Sequence, residues 1–85
     1  MKLTVRFFAS LKEQLGKDSE IIEVPQGIAT VAALRGHLMA RGGEWQAALA
    51  EKKLVRAAVN QEMAQPAAPI KAGDEVAFFP PVTGG

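Results

Sequence analysis

Residues 73–85 read GDEVAFFPPVTGG, and the way this stretch is divided decides how the rest of the chain folds around it. Ala72, Gly73 and Asp74 make a turn. Glu75 to Phe79 then alternates, putting Val76 and Phe78 on one face and Ala77 and Phe79 on the other, as a strand does. Pro80 and Pro81 offer no N–H to a ladder, so the strand stops and its exit is stiffened. Val82, Thr83, Gly84 and Gly85 follow without apolar alternation. The expected organisation is one domain over residues 1–79 and a tail over residues 80–85, a Pro-Pro stem ending in a flexible Gly-Gly tip.

A last strand needs neighbours, and the N-terminus offers the first of them. Leu3, Val5 and Phe7 alternate with Thr4, Arg6 and Phe8, which predicts a strand with one buried face and places an aromatic, Phe8, on its polar side. Ser10 followed by Glu13 matches a capping box, predicting a short helix over Leu11–Leu15 that Gly16 ends. Glu20–Val24 predicts a second strand, antiparallel to the first, stopped by Pro25 and Gly27. From Thr30 as N-cap, Val31, Leu34 and Leu38 recur at helical spacing until Gly42 and Gly43. Glu44–Leu49 adds a further helical turn with Trp45 at the rim of the core. Leu54–Val59 is a third strand, Asn60 and Gln61 a turn, and Met63–Gln65 a short edge strand ended by Pro66. This order predicts an α+β domain with one main helix packed across one face of a sheet.

Composition narrows the chemistry. The chain has 85 residues, 48% of them hydrophobic, and a formal charge of +1. A domain of this size buries only a little over ~60% of its unfolded surface, enough for one modest core but not for a deep enclosed active site. It contains no cysteine, so disulfides, thiolate metal sites and a cysteine nucleophile are excluded. His37 has no second histidine with which to share a metal and reads as a surface residue. Ten Lys and Arg against nine Asp and Glu, scattered along the chain, lack the dense basic footprint of a nucleic-acid binder. No signal peptide and no apolar run of roughly 18 residues is present, so no membrane association and a cytoplasmic location are expected.

The Gly-Gly end then becomes the candidate site. By composition alone, two terminal glycines would arise in roughly 0.5% of chains, and a frayed terminus would account for them equally well. The Pro-Pro stem changes the balance. Counted from Pro81, five extended residues span roughly 16 Å, and a tip without side chains passes where a bulkier end would clash. A terminal carboxylate is a poor electrophile until ATP converts it to an acyl-adenylate, which can then accept a sulfur, an amine or a thiol. The domain is then a handle and the main chain carries the cargo.

VRFFASLKEQLG near the start and GDEVAFFPPVTGG at the end, with AAVNQ at residues 57–61 between them, resemble the small subunit of molybdopterin synthase over essentially the whole chain. The resemblance implies a ubiquitin-like β-grasp with a mixed sheet, its first and last strands parallel in the middle. It implies no cofactor bound by this chain, and adenylylation of Gly85 by an activating enzyme using ATP. Sulfur from a donor such as a cysteine desulfurase or rhodanese-like protein would convert Gly85 to a thiocarboxylate. Gly84 would give that group access to the large synthase subunit, with two small and two large subunits in the assembly. There the sulfur would help build the dithiolene of molybdopterin from cyclic pyranopterin monophosphate, with the acid-base groups on the large subunit.

With the central strands parallel, Phe8 and Phe79 would share one end of the sheet on the face away from the helix, where the tail leaves. Met63 resembles a family contact position and joins them, and Pro80, Pro81, Val82 and Thr83 complete the expected partner-binding set. Phe7 and Phe78 read as core, and Asp74 with Glu75 as serving the turn. Lys12 and Lys71 could steer an acidic partner or simply be solvated. Three other functions fit the same features: a sulfur carrier for thiamin thiazole synthesis, a modifier joined through Gly85 to lysines, and a β-grasp binding module with an inert tail.

Overall fold

The structure, a computed structural model, describes residues 1–81. Five strands and three helices follow one another as β1 (Lys2–Phe7), α1 (Ala9–Leu15), β2 (Ser19–Glu23), α2 (Val31–Met39), α3 (Glu44–Leu49), β3 (Arg56–Val59), β4 (Glu62–Ala64) and β5 (Glu75–Phe79). The sheet order is β2-β1-β5-β3-β4. β1 and β2 pair antiparallel, whereas β1 and β5 pair parallel with Val5 opposite Val76 and Phe7 opposite Phe78. The parallel centre implied by the resemblance is therefore present.

One face of the sheet is the core. Leu3, Val5 and Phe7 from β1 and Val76 and Phe78 from β5 are essentially inaccessible, and they pack with Leu11 of α1, Val31, Leu34 and Leu38 of α2, and Ala48 and Leu49 of α3. All three helices thus contribute to one layer, of which α2 is the main member. Thr30 is its N-cap: the hydroxyl oxygen accepts the N–H of Ala33 at 3.1 Å, satisfying one of the donors a helix start leaves open. Trp45 lies half-buried at the rim, edge-on to Phe7 with ring centroids 5.4 Å apart.

The start of α1 departs from the predicted capping box. Phe8, not Ser10, occupies the N-cap, and no side chain caps the helix. The cause is long-range: the Phe8 N–H donates to the Phe78 carbonyl at 3.2 Å, which holds the backbone extended one residue past β1. The helix must then begin at once, so the Phe8 carbonyl accepts from Leu11 and Lys12, and Ala9 is forced to φ 54°. Ser10 falls inside the helix, where it cannot cap.

The third strand also begins later than Leu54. The Arg35 guanidinium donates to the carbonyls of Leu49, Ala50 and Lys53, which holds that segment as a loop and leaves Leu54 exposed. β2 starts one residue earlier than expected and β4 likewise. The Asn60-Gln61 turn is a tight hairpin with φ 50° and 71° at its two residues, the paired left-handed conformation that matches strand twist.

A charged cluster ties the helical layer to the edge strand β2. Glu20 accepts two hydrogen bonds from Arg41, at 2.9 and 2.6 Å, and one from Lys17 at 2.9 Å. The Arg41 guanidinium lies 4.4 Å from the centroid of the Trp45 ring. These hydrogen bonds, Arg41 first, outweigh burial and pull the Glu20 carboxyl from its ordinary 4.5 to about 2. A carboxyl lowered on folding stabilises the fold above its unfolded pKa and ceases to as pH falls toward the folded value. Wild type should therefore lose stability between about pH 5 and 2, and Glu20→Gln should flatten that limb of a stability-versus-pH curve measured by urea unfolding.

Candidate functional site

The site is built on the sheet face opposite the helices, at the end where β1 and β5 both finish. Because Phe7 stands opposite Phe78 in the parallel register, Phe8 and Phe79 come next on neighbouring strands. Both have turned to the open face by the alternation of the pleat. Phe8 is 39% exposed and Phe79 half-buried. These residues are 71 positions apart in the chain, and the sheet brings them together as expected.

Met63 lies on β4, 66% exposed. It is in register with Ala58, which is in register with Ala77, itself opposite Arg6. This row, Arg6-Ala77-Ala58-Met63, crosses the open face beside the Phe8 and Phe79 pair. Pro80 and Pro81 are half-buried, and Pro81 lines a groove between α2 and β4 together with Val31, Arg35, Met39 and Met63. Val82, Thr83, Gly84 and Gly85 lie outside the described residues.

Two cations of this surface were missed by the sequence reading. The Arg6 guanidinium sits 5.1 Å from the centroid of the Phe8 ring and 4.0 Å from Glu75. Arg56 is exposed on β3 directly opposite Phe79. Alternation alone puts Arg6 on the side of Phe8, but only the pairing of β3 with β5 puts Arg56 beside Phe79. Among the described open-face residues, Glu23 belongs to the other end of the sheet by register, while Glu75 reaches Arg6 at 4.0 Å, so Arg6 is paired and Arg56 is the cation beside Phe79.

The opposite end of β5 is locked by a buried carboxylate. Asp74 is only 6% exposed. It accepts from the Asn60 side-chain amide at 3.0 Å and from the Lys71 N–H at 2.9 Å, while the Asn60 side-chain oxygen accepts the Glu75 N–H at 3.0 Å. The Asn60 bond, followed by that from Lys71, holds the Asp74 carboxyl below its usual range against the opposing effect of burial. The turn role expected of Asp74 is present, and extends to joining the β3–β4 hairpin to the start of β5. Among the described residues no helix is long and apolar enough to cross a membrane.

A five-stranded mixed sheet with parallel central strands, helices on one face and a chain end carried off the middle strand is a ubiquitin-like β-grasp domain. SAMP1, small archaeal modifier protein 1 of Haloferax volcanii, has the same fold, with a TM-score of 0.75 and 29% identity over the whole of both chains. The ThiS family matches residues 5–85. The molybdopterin synthase sulfur carrier subunit of Escherichia coli is 48% identical over 98% of this chain and 99% of its own length, and that of Haemophilus influenzae is 45% identical over the same shares. The chain belongs to the ThiS family, among its molybdopterin synthase sulfur carrier subunits.

Proposed function

We propose that this protein carries sulfur as a thiocarboxylate on Gly85 and delivers it inside molybdopterin synthase. The reading is supported by one observation: β5 lies in the middle of the sheet beside β1, so Pro80 and Pro81 follow directly on Phe79 at the end of the sheet where Phe8 stands. A partner that binds the patch receives the tail. An activating enzyme uses ATP to form the Gly85 acyl-adenylate with release of pyrophosphate. The outer sulfur of a persulfide donor attacks the acyl-adenylate and AMP leaves; a thiol then cleaves the resulting acyl disulfide, forming a disulfide with the donor's sulfur and leaving the thiocarboxylate on Gly85. The C–S bond is broken at transfer, and the carboxylate returns for another cycle.

In this reading the chain has no acid-base machinery of its own and binds no cofactor. The large synthase subunit supplies the pocket for the pterin precursor, and the carrier works in the cytoplasm. Intact mass after incubation with ATP, the activating enzyme and a sulfur donor tests the loading step. The expected result is the gain of one sulfur for one oxygen, localised to Gly85; an unchanged mass would count against the carrier role.

Docking rests on the aromatic pair. Truncating an aromatic at the centre of an interface weakens binding by about tenfold or more, so Phe79→Ala should do so in a titration against the large subunit. Its thermal unfolding should change much less, because Phe79 lies outside the packed core cluster. The likeness to SAMP1 supports a second reading, in which Gly85 is joined to target lysines. Conjugate ladders on a denaturing gel, absent when Gly85 is removed, would favour it over the carrier role.

A further inference from the structure

The groove between α2 and β4 has a volume of about 580 Å³, and Pro81, the last residue before the chain's final four, stands in its wall. Leu54 and Met63, two of the large apolar side chains that the described domain leaves exposed, line it together with half-buried Met39. Its charged residues are Arg35, Arg56 and Glu51, so the groove is net cationic. Arg35 is tied to the carbonyls of Leu49, Ala50 and Lys53, whereas Arg56 makes no ion pair among the described residues. On the helix side the wall includes Gly36, inside α2, where glycine is less favourable than alanine. A Cβ at Gly36 would meet nothing within 4 Å, so no neighbour in the domain requires the glycine there. It leaves room for a segment to lie close against the helix.

We infer that in the free protein residues 82–85 lie back in this groove, with Val82 on its apolar wall and the Gly85 carboxylate drawn to its cations. The segment starts at the wall, and four extended residues reach about 13 Å along it. The groove falls in the range of about 300–1,000 Å³ that accommodates small ligands, which suits Val, Thr and two glycines. The carboxylate end complements the net charge of the groove. Because the segment is joined to the wall, it competes at an effective concentration of about millimolar, which favours it over a second copy or a free peptide. The terminal carboxylate is then shielded until a partner draws the tail out. That consequence rests on the carrier reading; the docking of the tail does not.

The test compares, without any partner, the full-length protein and a chain ending at Pro81 by heteronuclear NMR. Amide shifts should differ at Ala32 and Gly36 on α2 and at Leu54 and Met63, and the Val82 methyls should show contacts to the groove. Carboxypeptidase should release Gly85 from wild type at least about fivefold more slowly than from Gly36→Leu, because such cleavage follows the population of the released tail. Gly36→Leu fills the groove with a better helix former, and a melting temperature at or above that of wild type checks that it folds. Arg56→Glu reverses the net charge of the groove and should speed cleavage in the same direction. Shift changes confined to Phe79 and its strand neighbours, or equal cleavage in all three chains, would overturn the inference. Groove shifts that grow with protein concentration and persist in the truncated chain would assign the groove to a second copy and overturn it too. None of these readouts involves sulfur, so a failure here and a failure of the loading assay are separate results.

Discussion

Deleting Gly85 is expected to abolish the proposed sulfur loading while leaving the unfolding midpoint of the domain unchanged. The first half follows from the chemistry. Loading needs a carboxylate that an activating enzyme can reach, and deletion moves it to Gly84, one residue short. A displacement of about 3.3 Å is large against the fit that a reacting group demands, where an error of about 1 Å already costs about a hundredfold. The second half follows from the fold, since among the described residues every member of the core cluster precedes Phe79. Intact mass after the loading reaction and a thermal melt read the two halves separately. Normal loading of the truncated chain would remove the carrier role, and a large fall in melting temperature would mean that the terminus supports the domain.

The second large effect lies at the other end of the last strand. Asp74→Ala removes a buried carboxylate and leaves the Asn60 amide and the Lys71 N–H without their acceptor. Hydrogen bonds to a charged group are worth roughly 1.5–3 kcal/mol each, so the loss should be about 3 kcal/mol. A domain of this size has roughly 4–13 kcal/mol of total stability, at about 0.05–0.15 kcal/mol per residue, so the urea midpoint should fall steeply. Asp74→Asn, which keeps one acceptor, should lose less. Because folding lowers the Asp74 pKa, its contribution is present above the unfolded carboxylate range and fades as pH falls through it. Wild type and Asp74→Ala should therefore converge in stability toward acid pH. A midpoint within experimental error of wild type at neutral pH would show that the buried carboxylate is not a lock.

The consequence of Asp74→Ala for function is indirect and testable in the same preparation. Asp74 and Asn60 bind the hairpin to the start of β5, and the Thr4 N–H donates to the Asp74 carbonyl at 3.0 Å. This sets where β5 begins against β1, hence where Phe79 and the tail end up. A one-residue slip would exchange the faces of Val76, Phe78 and Phe79.

What was legible in the sequence was local. The alternation in Leu3 to Phe7 and in Val76 to Phe79, the cap at Thr30, the Asn60-Gln61 turn and the Pro-Pro exit each depend on residues within a few positions of one another. The failures had a common cause. Ser10 and Glu13 satisfied the pattern of a capping box, but a hydrogen bond from Phe8 to Phe78, 70 positions away, moved the helix start. Leu54 looked like strand until Arg35 bound the loop before it. Period two says which face a residue takes, and says nothing of which strand stands beside it.

By itself, then, the sequence determined an α+β domain and the two faces of each strand, because turn chemistry and alternation are properties of neighbouring residues, while its resemblance to a known family supplied the β-grasp and the sulfur role proposed for Gly85. Only the tertiary structure decided that Arg56 lies beside Phe79, that Ala58 faces Ala77, and that Asp74 is buried under Asn60. Those facts come from the registers of β5 against β3 and β1, which arise when distant segments bury their apolar faces together in one core.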